Sequence, residues 1–221
     1  MLQLFTEHIR RNFSFLFESR LLLAISGGVD SVVLAHLCKK AGLDFALAHC
    51  NFNLRGKESD ADERFVRDLS IILDVPVFVE SFDTKKFEKK QNLSTQMAAR
   101  TLRYNWFREL SHLLGFQYVL TAHQADDNLE TFLINLTRGT GIEGLTGIPP
   151  INGNVVRPML PFSREAIIKY AEENKLAWRE DSSNADVKYL RNKIRLEVVP
   201  KLKEINPSLL QSFQHTVDYL R

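Results

Sequence analysis

Two short segments hold residues whose types and spacing could do chemistry. Ser26-Gly27-Gly28-Val29-Asp30-Ser31 carries two adjacent glycines, two hydroxyls and one carboxylate. Paired glycines let a backbone turn tightly and bring its N–H groups close to a ligand. A helix starting at Val29 would aim its positive end at the same place. That is phosphate-binding chemistry, with Ser26, Gly27, Gly28, Val29 and Ser31 as the cradle. Asp30 would serve a metal or fix the loop. The spacing is neither the lysine-bearing P-loop nor the three-glycine dinucleotide fingerprint. The second segment runs Ala122-His123-Gln124-Ala125-Asp126-Asp127-Asn128-Leu129-Glu130-Thr131. In a helix beginning near His123, the residues His123, Asp127 and Glu130 fall at i, i+4 and i+7, on one face. An imidazole and two carboxylates could hold Mg2+, bind an ammonium or remove a proton. Asp126 lies off that face by a residue and suits the helix N-terminus.

A third group is basic. Gln96, Arg100 and Arg103 repeat the i, i+4, i+7 spacing, and two guanidiniums one turn apart suit a phosphate or carboxylate clamp; a solvated basic face reads the same pattern without a ligand. His49 closes a strand-like run and is as compatible with structure as with function. Lys85, Lys86, Lys89 and Lys90 form one charge run, and Lys188, Arg191, Lys193 and Arg195 another. Each is the mark of a solvated face, and together they could track phosphates.

The elements that must position these residues alternate. Leu21–Ile25 is a wholly apolar run, as in a strand buried on both faces. Val29–Lys40 then reads as a helix stopped at Gly42, Phe45–His49 as a strand, and Ser59–Leu73 as a helix ending before Pro76. Val77–Val79 is a third strand, Ser94–Leu114 a long helix with Ser94 as N-cap, Tyr118–Thr121 a fourth strand and Asp126–Thr137 a helix. Strand–helix alternation predicts an α/β fold, a parallel twisted sheet covered by helices on both faces. Ligands of such sheets sit at the carboxyl ends of the strands, just after Ile25, His49, Val79 and Thr121. Five of the ten glycines fall in Arg138–Gly153, with Pro149 and Pro150, which reads as a loop and a boundary. Ser163–Lys175 and Pro207–Arg221 are further helices.

The 221 residues imply one large domain and a smaller piece, placed at 1–150 and 151–221. Hydrophobic residues at 44% and charged residues at 25% exclude wholesale disorder. With 29 Lys and Arg against 27 Asp and Glu, the net charge of +2 does not by itself announce a nucleic-acid binder. Cys38 and Cys50 form no disulfide framework and read as packing residues in a reducing compartment. No run approaches the roughly 20 apolar residues of a membrane span. Met1–Phe17 has apolar residues at helical period rather than the unbroken run of a signal peptide. The expectation is a cytoplasmic chain with no membrane partner.

The Ser26–Ser31 motif, SGGVDS, resembles the signature of the N-type ATP pyrophosphatases, the PP-loop superfamily. From Leu21 to Pro200 the ordered set SGGVDS, HCNFNLRG, QMAARTLRY, AHQADDNLET, TRGTGIEGLTGI, RPML, EDSSN and RNKIR is similar to the tRNA(Ile)-lysidine synthase family. The pattern departs from the family at Phe52, Gln96 and Gln124. The resemblance implies an adenine nucleotide alpha hydrolase-like sheet with a small helical C-terminal extension. It implies ATP and Mg2+ as cofactors, and free L-lysine and an isoleucine tRNA with a CAU anticodon as substrates. A homodimer is left open. ATP would adenylate O2 of the wobble cytosine, and the lysine ε-amine would then displace AMP to give lysidine. By the resemblance, the catalytic set is Asp30, Arg103, His123, Asp127 and Glu130. His49 and Arg100 join Ser26–Ser31 in binding nucleotide, with Asp30 on Mg2+. Arg103, Asp126, Asp127, Glu130, Arg191 and Arg195 would bind substrate, and Gly139–Gly147 would reach the tRNA. The family usually carries further C-terminal tRNA-binding domains, of which this chain would hold at most the start. The rivals are a tRNA cytidine thiolase of the same superfamily and a non-catalytic nucleotide-binding module. The thiolase would need paired cysteines. The module would need the loop but not the His123-Asp127-Glu130 face.

Overall fold

The computed structural model describes residues 1–180 and 190–221; Asp181 to Asn184 of the EDSSN motif, and Lys188, lie outside the described residues. A six-stranded sheet has the order β3-β2-β1-β4-β6-β5. Its strands are β1 Leu21–Ala24, β2 Phe45–Asn51, β3 Val77–Ser81, β4 Tyr118–Leu120, β5 Ile151–Asn152 and β6 Val155–Val156. All neighbours are parallel except β5, which pairs antiparallel with β6. The expected covered parallel sheet is present, and β5 and β6 extend it past residue 150. A two-residue turn at Asn154 and Gly153 (φ +58°) makes that hairpin, which the glycine density of the region had concealed.

The helices are α1 Leu2–Asn12, α2 Val29–Ala41, α3 Lys57–Leu73, α4 Thr84–Gln91, α5 Thr95–Leu114, α6 Ala125–Arg138, α7 Ile142–Leu145, α8 Arg164–Glu173, α9 Leu190–Lys193, α10 Val199–Ile205 and α11 Leu209–Leu220. Alternation along β1 decides what packs where. Leu21, Leu23 and Ile25 enter a core with Phe5 and Ile9 of α1, α2, Val66 and Leu69 of α3 and Ile167 of α8. Leu22 faces the other way, onto Trp106 and Phe107 of α5. Each fully buried Leu or Phe in these cores contributes about 1.5–3 kcal/mol. A third, smaller core joins α6 to the C-terminal helices through Leu129, Ile194, Val199, Phe213 and Val217.

Several boundaries differ from expectation for local reasons. The lysine run at Lys85–Lys90 is a helix, α4, because the Asp83 side chain accepts the Lys86 N–H at 3.0 Å and caps it. α3 begins at Lys57, with Gly56 rather than Ser59 at its N-cap. Ser94 and Ser163 do cap α5 and α8 as their sequences predict. None of the described helices is long and apolar enough to cross a membrane.

Candidate active site

β1 lies between β2 and β4. The chain therefore reverses its direction of strand addition at β1, and a crevice opens at the carboxyl ends of β1 and β4. Ser26–Ser31 leaves β1 there and enters α2. Gly27 takes φ +92°, a conformation that favours glycine. The loop is closed by its own bonds. Ser31 Oγ donates to the Gly28 carbonyl at 2.9 Å, and Ser26 Oγ accepts the Gly28 N–H at 3.3 Å. Gly28 is the N-cap of α2 and offers no side chain to the first-turn N–H groups. Those donors and the helix dipole suit an anion. His49 is 4% exposed, and its Nδ1 donates to the Ile25 carbonyl at 2.9 Å. It therefore braces the residue before the loop and leaves only Nε2 for a ligand. Burial holds its pKa below the usual histidine value.

A second brace comes from far along the chain. The Arg179 N–H bonds the Gly27 carbonyl at 2.9 Å, and the Arg179 guanidinium pairs with Asp62 of α3 at 2.9 Å. Asp62 also takes Arg55 at 2.7 Å. No spacing in the sequence signals this bridge, which joins three separate segments.

Asp30 points one oxygen at Arg164 Nη1, 2.9 Å away. Its Oδ1 is buried and has no hydrogen-bond partner. Burial raises its pKa; Arg164 opposes the rise and the Asp127 charge adds to it. A divalent cation is the chemistry that such an oxygen lacks. Mg2+ is held by one or two carboxylates together with substrate phosphates, so a single Asp30 oxygen beside a phosphate loop fits it.

The acidic group comes from α6, and its geometry differs from the helical-face expectation. α6 starts at Ala125, so His123 lies before the helix in extended chain, ahead of the N-cap Gln124. Gln124 and Asp127 close a reciprocal capping box, which fixes the helix start two residues later than the i, i+4, i+7 reading required. His123 still faces Asp127, whose charge acts on it. Its Nδ1 lies 3.0 Å from Thr121 Oγ1, and burial lowers its pKa to about 4, so the ring is neutral at pH 7.

Arg191 and Arg195 come to this acidic face. Arg195, in a π-helical turn at Ile194–Val198, donates to both oxygens of Glu130 at 2.6 and 3.0 Å and to Asp127 at 3.1 Å. Arg191 Nη2 donates to Thr131 Oγ1 at 2.7 Å and its Nε stands 3.8 Å from Glu130. Asp126 is taken up by structure: its oxygens accept Lys203 Nζ at 2.7 Å and the Arg164 N–H at 2.8 Å. Sequence reading missed Lys203 and Arg164, which lie in unremarkable helical stretches. Glu130 is 1% exposed, and burial raises its pKa despite Arg195. Asp127 is the more open of the two, its side chain 16% exposed.

The two arginines of α5 diverge and do not form one clamp. The Arg100 guanidinium lies 4.8 Å from the Tyr104 ring centroid and acts on His123. Arg103 turns to β2, 5.3 Å over the Phe52 ring, beside Cys50. The Gly139–Gly147 loop is exposed at its tip and anchored at its root. There Asn128 Oδ1 accepts the Ile148 N–H at 2.6 Å, so close under Gly147 that a Cβ would stand 2.2 Å from it. Cys38 is buried, and burial pushes the Cys50 thiol up to about 12.

The family model described as a PP-loop domain matches residues 2–202. The chain belongs to the PP-loop domain family. Among relatives, a protein from Bacteroides thetaiotaomicron named tRNA(Ile)-lysidine synthase is 45% identical over 213 residues, covering 96% of this chain and 50% of that protein. One of the same name from Porphyromonas gingivalis is 46% identical over 200 residues, covering 90% of this chain and 44% of that protein. This PP-loop chain thus spans about half the length of the curated relatives it matches. Among solved structures, a U34-tRNA thiolase from Methanococcus maripaludis, with its 4Fe-4S cluster, aligns with a TM-score of 0.76 at 14% identity, covering 100% of this chain and 80% of that one. NMN synthetase from Francisella tularensis aligns at 0.61 with 12% identity, covering 98% and 93%. At such identities they speak for the fold alone.

Proposed function

We propose that this chain is the catalytic part of an enzyme that joins free lysine to C2 of the wobble cytidine in a CAU-anticodon isoleucine tRNA, using ATP. The name shared by its relatives supports the substrate pair. The observation that carries the reading is geometric: an uncapped helix N-terminus behind a glycine hairpin stands beside a neutral histidine and an open carboxylate. The first step is attack of cytosine O2 on the α-phosphate of ATP. An O–P bond forms, the α–β anhydride bond breaks and pyrophosphate leaves. In the second step the lysine ε-nitrogen bonds to C2, the C2–O2 bond breaks and AMP departs with that oxygen. The ammonium must lose a proton before it attacks.

Ser26–Ser31 grips the triphosphate with first-turn N–H groups of α2 and hydroxyls. Asp30, whose Oδ1 has no hydrogen-bond partner, would hold Mg2+, and the ion would supply neutralisation of phosphate charge. His49 positions the loop through Ile25. Asp127 receives the lysine ammonium and its proton, because its carboxylate keeps acceptor capacity beyond the two bonds it makes. Glu130, buried beneath Arg195, orients that guanidinium rather than meeting substrate. Arg103, laid on Phe52, is assigned to the activated base or its phosphate, and Arg191, at the outer edge, to RNA. The exposed Gly139–Gly147 tip is a further RNA contact.

A thiolase reading has less support within this chain. Its sequence holds two cysteines, and both thiols are held protonated by burial, whereas sulfur or cluster chemistry needs accessible thiolates. The test is incubation with ATP, Mg2+, labelled lysine and a CAU-anticodon transcript. Transfer of label to RNA that stops when ATP is omitted is the expected result. Label transfer from a sulfur donor, and none from lysine, contradicts the reading.

A further inference from the structure

A peptide unit between two glycines can turn over at little steric cost, and the Gly27–Gly28 unit of the phosphate loop is one. Its orientation matters, because the C=O and N–H of a planar trans peptide point in opposite directions. Here the Gly28 N–H points to Ser26 Oγ, a hydroxyl of the cradle, 3.3 Å away. The Gly27 carbonyl points the other way and accepts the Arg179 N–H at 2.9 Å. Turned over, the same unit would offer the phosphates a carbonyl oxygen in place of an N–H, and its partial negative charge opposes an anion.

Arg179 is itself held from α3. Its Nε donates to Asp62 Oδ1 at 2.9 Å, and Asp62 Oδ2 accepts Arg55 Nη2 at 2.7 Å. Phe65, one turn on from Asp62, reaches the loop from the same helix. A Cβ at Gly27 would stand 3.4 Å from the Phe65 ring and 3.6 Å from Arg179 Cγ, so the loop is packed between the two. Asp62 is 6% exposed, and a carboxylate buried under arginines gains little net stability, because its desolvation offsets the attraction. Stability alone therefore does not account for the arrangement, and the two reaction steps above leave Asp62, Phe65 and Arg179 without a role. We propose that Asp62 is a positioning residue for nucleotide binding. It anchors Arg179, and through the Arg179 N–H it keeps the Gly27–Gly28 peptide turned with its N–H toward the phosphates. The proposal rests on Ser26–Ser31 being the triphosphate site. Affinity is gained because the donor is oriented before ATP arrives.

Calorimetric titration of the chain with a non-hydrolysable ATP analogue and with adenosine, which lacks the phosphates, tests it. The Arg179 and Arg55 side chains are 41% and 29% exposed, so removing Asp62 returns them to water rather than stranding a buried charge. Asp62→Ala and Arg179→Ala are each expected to weaken the analogue by about 10-fold, the worth of one charge-assisted hydrogen bond to a phosphate. Adenosine should stay within about twofold. The double variant is expected to bind the analogue no worse than either single one, because both changes release the same peptide. Unchanged binding of the analogue by Asp62→Ala overturns the proposal. Equal loss of both ligands also overturns it and makes Asp62 a general structural residue. So does a double variant whose loss is the product of the two single losses, since Asp62 would then act by a route other than Arg179. Should Asp62→Ala fail to fold, Arg179→Ala decides by the first two criteria. Failure of the unaltered chain to bind the analogue overturns the phosphate-loop reading together with the brace, whereas normal binding by the variants overturns the brace alone.

Discussion

The glycine hairpin and the acidic mouth share one end of the sheet, yet they are held by opposite means. Most of the hairpin's bonds are its own, joining Ser26, Gly28 and Ser31 within five residues, with one distant brace from the Arg179 N–H to the Gly27 carbonyl. The mouth closes across the chain, with Arg195 reaching back 65 residues to Glu130 and Lys203 reaching back 77 to Asp126. The hairpin therefore depends chiefly on β1 and α2, steadied by His49 of β2 and by Arg179. The mouth exists only when the C-terminal helices are docked on α6 through the small Leu129–Ile194–Phe213 core. The proposed two-step reaction would divide in the same way, with activation at the hairpin and capture of the amine at the mouth.

The comparison can be broken most severely at Gly27. A side chain there is strained at φ +92° and meets Phe65 at 3.4 Å and Arg179 at 3.6 Å. Gly27→Val is expected to cut ATP-dependent pyrophosphate release by about 100-fold or more, the scale of losing pre-organised phosphate donors, with far-UV circular dichroism unchanged. Stability separates the ion pairs of the mouth next. Arg195→Ala strands Glu130, which is 1% exposed, and is expected to cost about 3–5 kcal/mol, or roughly 6–20 °C in Tm. Adding Glu130→Gln should recover part of that loss in thermal melts. Lys203→Ala touches a pair whose lysine side chain is 39% exposed and should cost about 1 kcal/mol or less.

A further effect, confined to acid pH, is a pH dependence at His123. Its folded pKa, about 4, lies below the ordinary value of 6.5. The unfolded chain therefore binds more protons between those values, and stability falls as pH drops from 6.5 toward 4. His123→Gln should flatten that part of the Tm profile by roughly 2–8 °C, corresponding to about 1–2 kcal/mol. Glu130 runs the opposite way: burial raises its pKa, so its charging above the ordinary carboxylate value costs stability as pH rises. A profile unchanged by His123→Gln would mean that the ring is solvated rather than buried.

The same division explains what could be read from the sequence. The parallel sheet, the caps at Ser94 and Ser163 and the glycine turn after β1 depend on local spacing, and spacing is what a sequence displays. The small hairpin β5–β6 has too few residues to set up a strand period, and the Asp83 cap of α4 was masked by the lysines that follow it. At the site, Asp30, His123, Asp127 and Glu130 were visible as residue types near strand ends. Arg164 on Asp30, Lys203 on Asp126 and Arg179 on Gly27 and Asp62 were not, because each pairing depends on how distant segments dock. The capping box at Gln124 also competed with the helical-face reading and displaced His123 from the helix.

The most direct measurement follows α-phosphate-labelled ATP through a single turnover with CAU-anticodon RNA and lysine, comparing Gly27→Val with Asp127→Asn. Separate sites for activation and capture predict that Asp127→Asn accumulates adenylated RNA and makes almost no lysine adduct, while Gly27→Val makes neither. An Asp127→Asn enzyme that cannot adenylate RNA, or that forms the lysine adduct at the normal rate, would contradict the account.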